Sequence, residues 1–247
     1  MAYAQESIKP YRDNSTKREQ VKRMFDNIAH SYDTLNGTLS FGIDKIWRRT
    51  LINRLKKEKI APKRILDIAT GTGDLAISAC KELNPDVIIG CDISEGMMKI
   101  GEQKAESENL GERIEFKYED CADLSFKDEE FDAVISAFAL RNFENLDRCL
   151  KEMHRVLAPK GFAAIIDLCR PESFPMKQLF HIYEKAVMPF IGKLISHDGY
   201  AYSYLPKTMD AVPQGEDMKT IFEKAGFHNV EYKRLAFGMC MMYIGRK

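Results

Sequence analysis

Ile65-Leu66-Asp67-Ile68-Ala69-Thr70-Gly71-Thr72-Gly73-Asp74 reads as a short apolar strand, a tight glycine turn and the acidic start of a helix. Gly71 and Gly73 carry no Cβ, so a ligand can lie directly against the backbone and positive φ costs little. The turn stands at the carboxyl end of a strand, where open α/β sheets bind their ligands. The dinucleotide spacing G-x-G-x-x-G is not met, because position 76 is Ala76 and Asp74 follows the turn at once. A carboxylate there repels a pyrophosphate and favours a cationic or hydroxyl-rich ligand.

The same rhythm continues outward. A helix is predicted from about Asp74 to Leu83, then a strand Val87–Asp92, with Ser94 as N-cap of a helix running to about Ser107. Strands follow at Ile114–Glu119, Phe131–Ala137 and Phe162–Leu168, with a helix Leu146–Leu157 before the last. This βαβα order predicts a parallel, doubly wound sheet with right-handed crossovers. After Arg170 the pattern changes. Apolar residues from Phe174 to Ile195 recur at helical spacing with Lys177, Lys185 and Lys193 among them. A helix over Gly215–Ala225 follows, then two strands, about His228–Leu235 and Met239–Arg246, close enough to pair as a hairpin. Ahead of the sheet, Lys17–Tyr32 and Lys45–Lys57 read as separate helices.

Composition narrows the classes. The 247 residues are 45% hydrophobic with zero formal net charge, which argues against disorder and against a nucleic-acid-binding surface. No apolar stretch reaches the ~20 residues of a membrane span, and Met1–Pro10 shows no apolar signal core. The six cysteines (80, 91, 121, 149, 169 and 240) form no C-x-x-C pair and read as reduced thiols of a cytoplasmic protein. His30, His154, His181, His197 and His228 have no metal-ligand spacing, so no metal site is expected. His197, in the polar run His197-Asp198-Gly199-Tyr200, is the one placed to face a site.

Asp92 ends the second strand, where a carboxylate accepts two ribose hydroxyls at once. Asp120-Cys121, after the third strand, offers an acceptor for an amino group and a backbone N–H for a ring nitrogen. S-adenosylmethionine, with a sulfonium, an ammonium and a ribose, suits this set. Arg141-Asn142, after the fourth strand, stands at the switch point of the sheet. It offers donors to a substrate oxygen, or else Arg141 pairs with a neighbouring acid to fix the loop.

Taken together the motifs resemble those of the ubiquinone/menaquinone biosynthesis C-methyltransferases, which are class I S-adenosylmethionine-dependent enzymes, over nearly the whole chain. The resemblance rests on Tyr32-Asp33-Thr34-Leu35-Asn36 through Leu39-Ser40 to Trp47, with Asp44 where a His is usual. It rests also on Phe138-Ala139-Leu140-Arg141-Asn142 and on Arg155-Val156-Leu157-Ala158-Pro159-Lys160-Gly161 leading to Asp167 and Cys169. There Lys160, Asp167 and Cys169 depart from the family's Gly, Glu and Ser. Ala201-Tyr202-Ser203-Tyr204-Leu205-Pro206 and Gly226-Phe227 complete it.

The resemblance implies a Rossmann-like fold with a mostly parallel seven-stranded sheet, a C-terminal antiparallel hairpin and a helical N-terminal extension. It implies an extension and lid over 1–60, and a methyltransferase domain over 61–247 with a helical lid insertion at about 171–205. The cofactor falls to Thr72, Asp92 and the Asp120-Cys121 pair, with Gly71, Gly73 and Asp67 completing the set. Ala137, where the family often has Ser, removes one hydroxyl contact. The implied reaction is methyl transfer to a carbon of a polyprenylated quinol, most simply demethylmenaquinol. Arg141 and Asn142 are the catalytic candidates, and Tyr32, His197 and Tyr202 the substrate candidates. A methoxy-benzoquinol acceptor and a weakly active scaffold subunit are the alternatives. Peripheral contact with the inner membrane surface, through the apolar helix and its lysines, and homo-oligomerisation are compatible with the reading; nucleic acid is not.

Overall fold

The computed structural model describes residues 2–58, 61–187 and 199–247. Strands β1 (Arg64–Ile68), β2 (Val87–Asp92), β3 (Ile114–Tyr118), β4 (Phe131–Ala137), β5 (Leu157–Leu168), β6 (His228–Leu235) and β7 (Cys240–Arg246) form one sheet. Its order is β3-β2-β1-β4-β5-β7-β6. β1 to β5 run parallel, and β7 inserts antiparallel between β5 and β6. The chain leaves β1 toward β2 on one side and returns to β4 on the other. The switch point is therefore the gap between the carboxyl ends of β1 and β4, where an open sheet holds its ligand.

The central strands are buried on both faces, as their unbroken apolar runs require. Leu66, Ile68, Val134 and Ile165 pack with α5 (Leu146–Val156) and the helix Glu216–Lys224. Ile65, Ala133, Ile135 and Ala164 face the other way, onto α2 (Ile43–Leu55) and α3 (Asp74–Leu83). Trp47, Leu51, Ile52 and Leu55 of α2 are almost wholly buried in that second cluster. At ~1.5–3 kcal/mol for each large apolar side chain, α2 is a structural member of the sheet's core.

The helix α1 extends from Lys17 to Leu39, seven residues past the predicted end at Tyr32. Thr16 and Glu19 close a reciprocal capping box at its start. Its last turns contain Asp33, Asn36 and Gly37, poor helix formers that tertiary contact holds helical: Leu35 is buried, and Asp33 accepts a hydrogen bond from Thr72 Oγ1 at 2.7 Å. The helix predicted from Phe174 begins at Met176 as α6 (Met176–Ile182) and passes into a π-helical turn over Tyr183–Val187; the remainder of that prediction, from 188, lies outside the described residues. A helix α7 (Gly199–Ala211), with Pro206 in its interior, begins inside the helical insertion expected over about 171–205 and runs six residues past it. The helix Glu216–Lys224, α8, starts after Gly215 as expected.

The glycine turn is seated on β3. A Cβ at Gly73 would stand 3.0 Å from the Phe116 ring, and one at Gly101, on α4 (Glu95–Ser107), 2.6 Å from the same ring and 3.2 Å from the Thr72 backbone. Ordinarily Gly→Ala inside a helix gains roughly 0.5–1 kcal/mol. Here overpacking, at about 1–3 kcal/mol, outweighs the gain. Gly101→Ala is expected to lower the urea midpoint by the equivalent of about 1 kcal/mol, and a higher midpoint would show that the Phe116 ring moves aside freely.

Candidate active site

Two cavities meet over the switch point. The first, about 470 Å³, opens beside the glycine turn. Its walls include Gly71, Asp92, Met97, Asp120, Cys121 and Ala137. Asp92 carries it. One carboxylate oxygen accepts from Gly71 N at 2.8 Å and the other from Ser94 N at 2.8 Å. Each oxygen keeps a lone pair free, and burial holds the pKa above the usual carboxylate range. Hydroxyl donors in the cavity would satisfy those lone pairs. Asp120 is tied to Ala122 N at 2.9 Å and to Arg18 Nε at 2.8 Å. The thiols of Cys121 and Cys149 lie 2.8 Å apart on the same wall.

Of the remaining cofactor candidates, Thr72 and Gly73 lie behind the turn and do not line the cavity. The Thr72 hydroxyl donates to Asp33 and accepts from Lys104 Nζ at 3.3 Å, and Lys104 also pairs with Asp74. Asp67 lies deeper still, 1% exposed. Its Oδ2 accepts from Thr70 Oγ1 at 2.7 Å. Burial raises its pKa to about 7. It supports the turn from below.

The second cavity, about 350 Å³, is largely apolar and lies between α1, α2, α6 and α7. Met24, Ile28, Leu35, Trp47, Leu179 and Phe180 are on its walls. Phe25, Tyr32, Phe138 and Asn142 line both cavities, so the two spaces share one partition. At that partition stands the turn Leu140–Asn142, and Arg141 faces the apolar side. The loop-fixing reading of Arg141 is present: it is buried, its Nη1 pairs with Asp167 and bonds Phe138 O, and its own N–H donates to Asp167 at 2.8 Å. Its Nε, however, is buried with no partner among the described residues. Arg141 is thus both clamped and left with a donor to give.

Two site residues were missed by sequence reasoning. Tyr204, on α7, is 3% exposed, lines the apolar cavity, and its hydroxyl has no partner among the described residues. Burial keeps that hydroxyl un-ionised. Lys17 is fully buried and donates to the carbonyls of Gln5 (2.6 Å), Arg141 (3.0 Å) and Phe143 (3.3 Å). Desolvation pulls its pKa to about 8. Tyr32 sits at the partition, and burial raises its pKa against a hydrogen bond with Asn36. Tyr202 lies on α7; His197 lies outside the described residues. No group of residues among those described could hold a metal ion.

The model of the ubiE/COQ5 methyltransferase family matches residues 13–247. A demethylmenaquinone methyltransferase of Bacteroides fragilis is 55% identical over the full length of both chains. One of Porphyromonas gingivalis is 45% identical over 98% of each. Among solved structures, a SAM-dependent methyltransferase of Thermotoga maritima superposes with a TM-score of 0.63 over 91% of this chain and 99% of its own, at 18% identity, a likeness of fold.

Asp67 makes a pH prediction. Its folded pKa of about 7 lies above the ordinary 3.8, so between roughly pH 4 and 7 the folded chain holds a proton that the unfolded chain has lost. Its contribution to stability is full below pH 4 and disappears as pH rises through 7. Asp67→Asn keeps an acceptor for Thr70 and does not titrate. Urea unfolding across pH 4.5–7.5 should show the variant gaining on the wild type as pH rises; a constant difference would mean that Asp67 is ionised throughout.

Proposed function

Because this chain belongs to the ubiE/COQ5 methyltransferase family, we propose that it transfers a methyl group from S-adenosylmethionine to a ring carbon of demethylmenaquinol. The observation that carries the substrate is the apolar cavity sharing Tyr32, Phe138 and Asn142 with the cofactor cleft. A polyprenylated ring fits such a space, with its reacting edge at the partition and its tail leading away between α1, α2 and α6. The B. fragilis and P. gingivalis proteins bear the name of that activity.

The cleft suits the cofactor. Its volume lies within the ~300–1,000 Å³ of small-molecule sites. Asp92 has lone pairs for ribose hydroxyls, and Met97 and Cys121 offer a soft, apolar wall. Bound there, S-adenosylmethionine supplies an electrophilic methyl group. The chain's own residues then have to hold the acceptor, keep water out and stabilise charge on the quinol oxygen.

Arg141 stands where an oxygen on the reacting edge gains negative charge, and its clamped guanidinium meets that charge without reorganising. An arginine is a poor base, so Arg141 acts as an electrostatic and orienting partner. The Tyr204 hydroxyl, left without a partner in an apolar wall, holds a second quinol oxygen. Asn142 offers its amide at the partition. Phe138 and Trp47, with ring centroids 6.1 Å apart, close the ring pocket against solvent. The acceptor must be the quinol. Its hydroxyls push electron density onto the ring carbon, whereas a quinone is electron-poor.

The test is transfer of labelled methyl to demethylmenaquinone in detergent, with and without dithionite. Label is expected only after reduction; transfer to a methoxy-benzoquinol alone would replace the substrate, and none to either quinol would overturn the reading. Arg141→Ala should lower kcat by about 10²–10³-fold with cofactor binding retained. Since that change leaves Asp167 buried without its partner, Tyr204→Phe is the milder probe. It removes an unpaired hydroxyl, so thermal stability should hold or rise while KM for the quinol increases roughly tenfold.

A further inference from the structure

Methyl transfer to a quinol carbon leaves one proton without a destination. Arg141 cannot take it, and the amide of Asn142 is no base. Tyr32, Tyr183 and Tyr204, also on the cavity wall, stay un-ionised because burial raises the pKa of each. Among the described residues that line the apolar cavity there is one carboxylate, Asp44, on the first turn of α2.

Asp44 is 6% exposed. Its Oδ1 accepts from Ser40 Oγ at 2.6 Å and its Oδ2 from Arg48 Nη1 at 2.6 Å. With the Lys45 N–H these take three of the four carboxylate lone pairs, and one is left. Burial by itself raises the pKa, but the Ser40 hydroxyl, the Arg48 guanidinium and the Lys45 N–H outweigh it and hold it below the usual carboxylate value. Asp44 is therefore an ionised base in a hydrocarbon wall. Stability alone does not explain its place. A pair four residues apart on a helix contributes only ~0.3–0.5 kcal/mol at the surface, whereas burying its charges costs several kcal/mol each.

Arg48 links this carboxylate to the partition. Its guanidinium carbon lies 5.2 Å from the centroid of the Phe138 ring, and its Nη2 lies 3.6 Å from Asp74, just after the glycine turn. Arg141 Nη1 bonds the carbonyl of the same Phe138. The charges of Arg141 and Arg48 both act on the buried Tyr32 hydroxyl. A ring lying against Phe138 thus has Arg141 and the Asp44–Arg48 pair as neighbours.

We propose that Asp44 is the general base of the methyl transfer and takes the proton of a quinol hydroxyl as the ring carbon bonds the methyl group. The assignment rests on the quinol reading of the cavity and supplies its proton acceptor. A carboxylate barely ionises a resting quinol, whose hydroxyl has a pKa of about 10, like that of tyrosine. It need not. As the ring gives an electron pair to the methyl carbon, electrons are drawn from the hydroxyl oxygen and its proton becomes far more acidic. The O–H bond breaks, its proton moves to Asp44, and its electron pair closes a carbonyl whose oxygen Arg141 meets. The C–S bond breaks with its pair left on sulfur, as a neutral thioether. The hydrogen on the methylated carbon then leaves as a proton to water. Its C–H pair restores the aromatic ring, and the oxygen takes back the proton held by Asp44.

The test is single-turnover transfer to reduced demethylmenaquinone in detergent between pH 6 and 8. Asp44→Asn should lower the rate about 10²–10⁴-fold at pH 6, with S-adenosylmethionine binding retained. Without the carboxylate, transfer waits for quinol that has already ionised. The ratio of variant to wild-type rate should therefore climb about tenfold per pH unit. Taking the ratio cancels the titrations of Asp67, near 7, and Lys17, near 8, which both proteins share. If the lone guanidinium unfolds this variant, Asp44→Asn with Arg48→Met removes the pair together and should show the same slope. An unchanged rate, or a lowered rate with a ratio independent of pH, overturns the proposal and leaves Asp44 a structural partner of Arg48. Wild type that methylates no quinol takes down the functional reading and this one with it; wild type active on the quinol with a flat ratio sinks the base alone.

Discussion

The buried ion pair between Arg141 and Asp167 is the constraint on which the site depends. Two charges taken out of water cost several kcal/mol each, and a lone partner left behind costs more, so the pair persists only with its remaining bonds made. Asp167 meets that condition: besides the guanidinium it accepts the N–H of Arg141 at 2.8 Å and of Leu168 at 2.7 Å. The pair ties the end of β5 to the turn after β4 and so fixes the partition between the cavities. Lys17 clamps the same turn from the other side through the carbonyls of Arg141 and Phe143. Glu6 and Glu144 act on Lys17 as well, so two cations stand among three carboxylates and the corner carries no net positive charge. What meets an acceptor oxygen that turns anionic in the transition state is the Arg141 guanidinium on the cavity wall.

The sheet was legible because its signals are local. Unbroken apolar runs give buried strands, glycine after β1 gives the ligand turn, and Ser94 caps α4, accepting from Met97 N at 3.3 Å. The positions of Gly71, Asp92 and Asp120 follow from strand ends alone. What failed depended on distant contact. Lys17 belongs to a stretch rich in charge and reads as solvent-facing; only the folded carbonyl cage buries it. Asp33, Asn36 and Gly37 read as the end of α1, yet Thr72 and the core keep them helical. Tyr204 stands in the motif quoted from sequence, but its significance is a hydroxyl without a partner among the described residues, which no spacing reveals. Thr72 and Asp67 belong to the same motif as Gly71 but do not line the cleft: Thr72 bonds Asp33 and Lys104, and Asp67, on β1, bonds Thr70 beneath the turn.

The division of the site into a polar and an apolar chamber is written along α1. Arg18, Lys22, Asp26 and Asp33 fall on one stripe at helical spacing. Three of them are tied to the loops around the cofactor cleft: Arg18 to Asp120, Asp26 to Ser94 Oγ at 2.6 Å and Asp33 to Thr72. Met24, Ile28 and Leu35 form a second stripe and line the apolar cavity. Between the two lies a third stripe, Val21, Phe25 and Tyr32, and the last two of these touch both chambers. One helix thus presents water-tolerant bonds to the cofactor side, hydrocarbon to the tail side and aromatic rings at the seam. A single helix thus covers both chambers, which is what a reaction between a charged donor and a greasy acceptor needs if water is to be kept from the line between them.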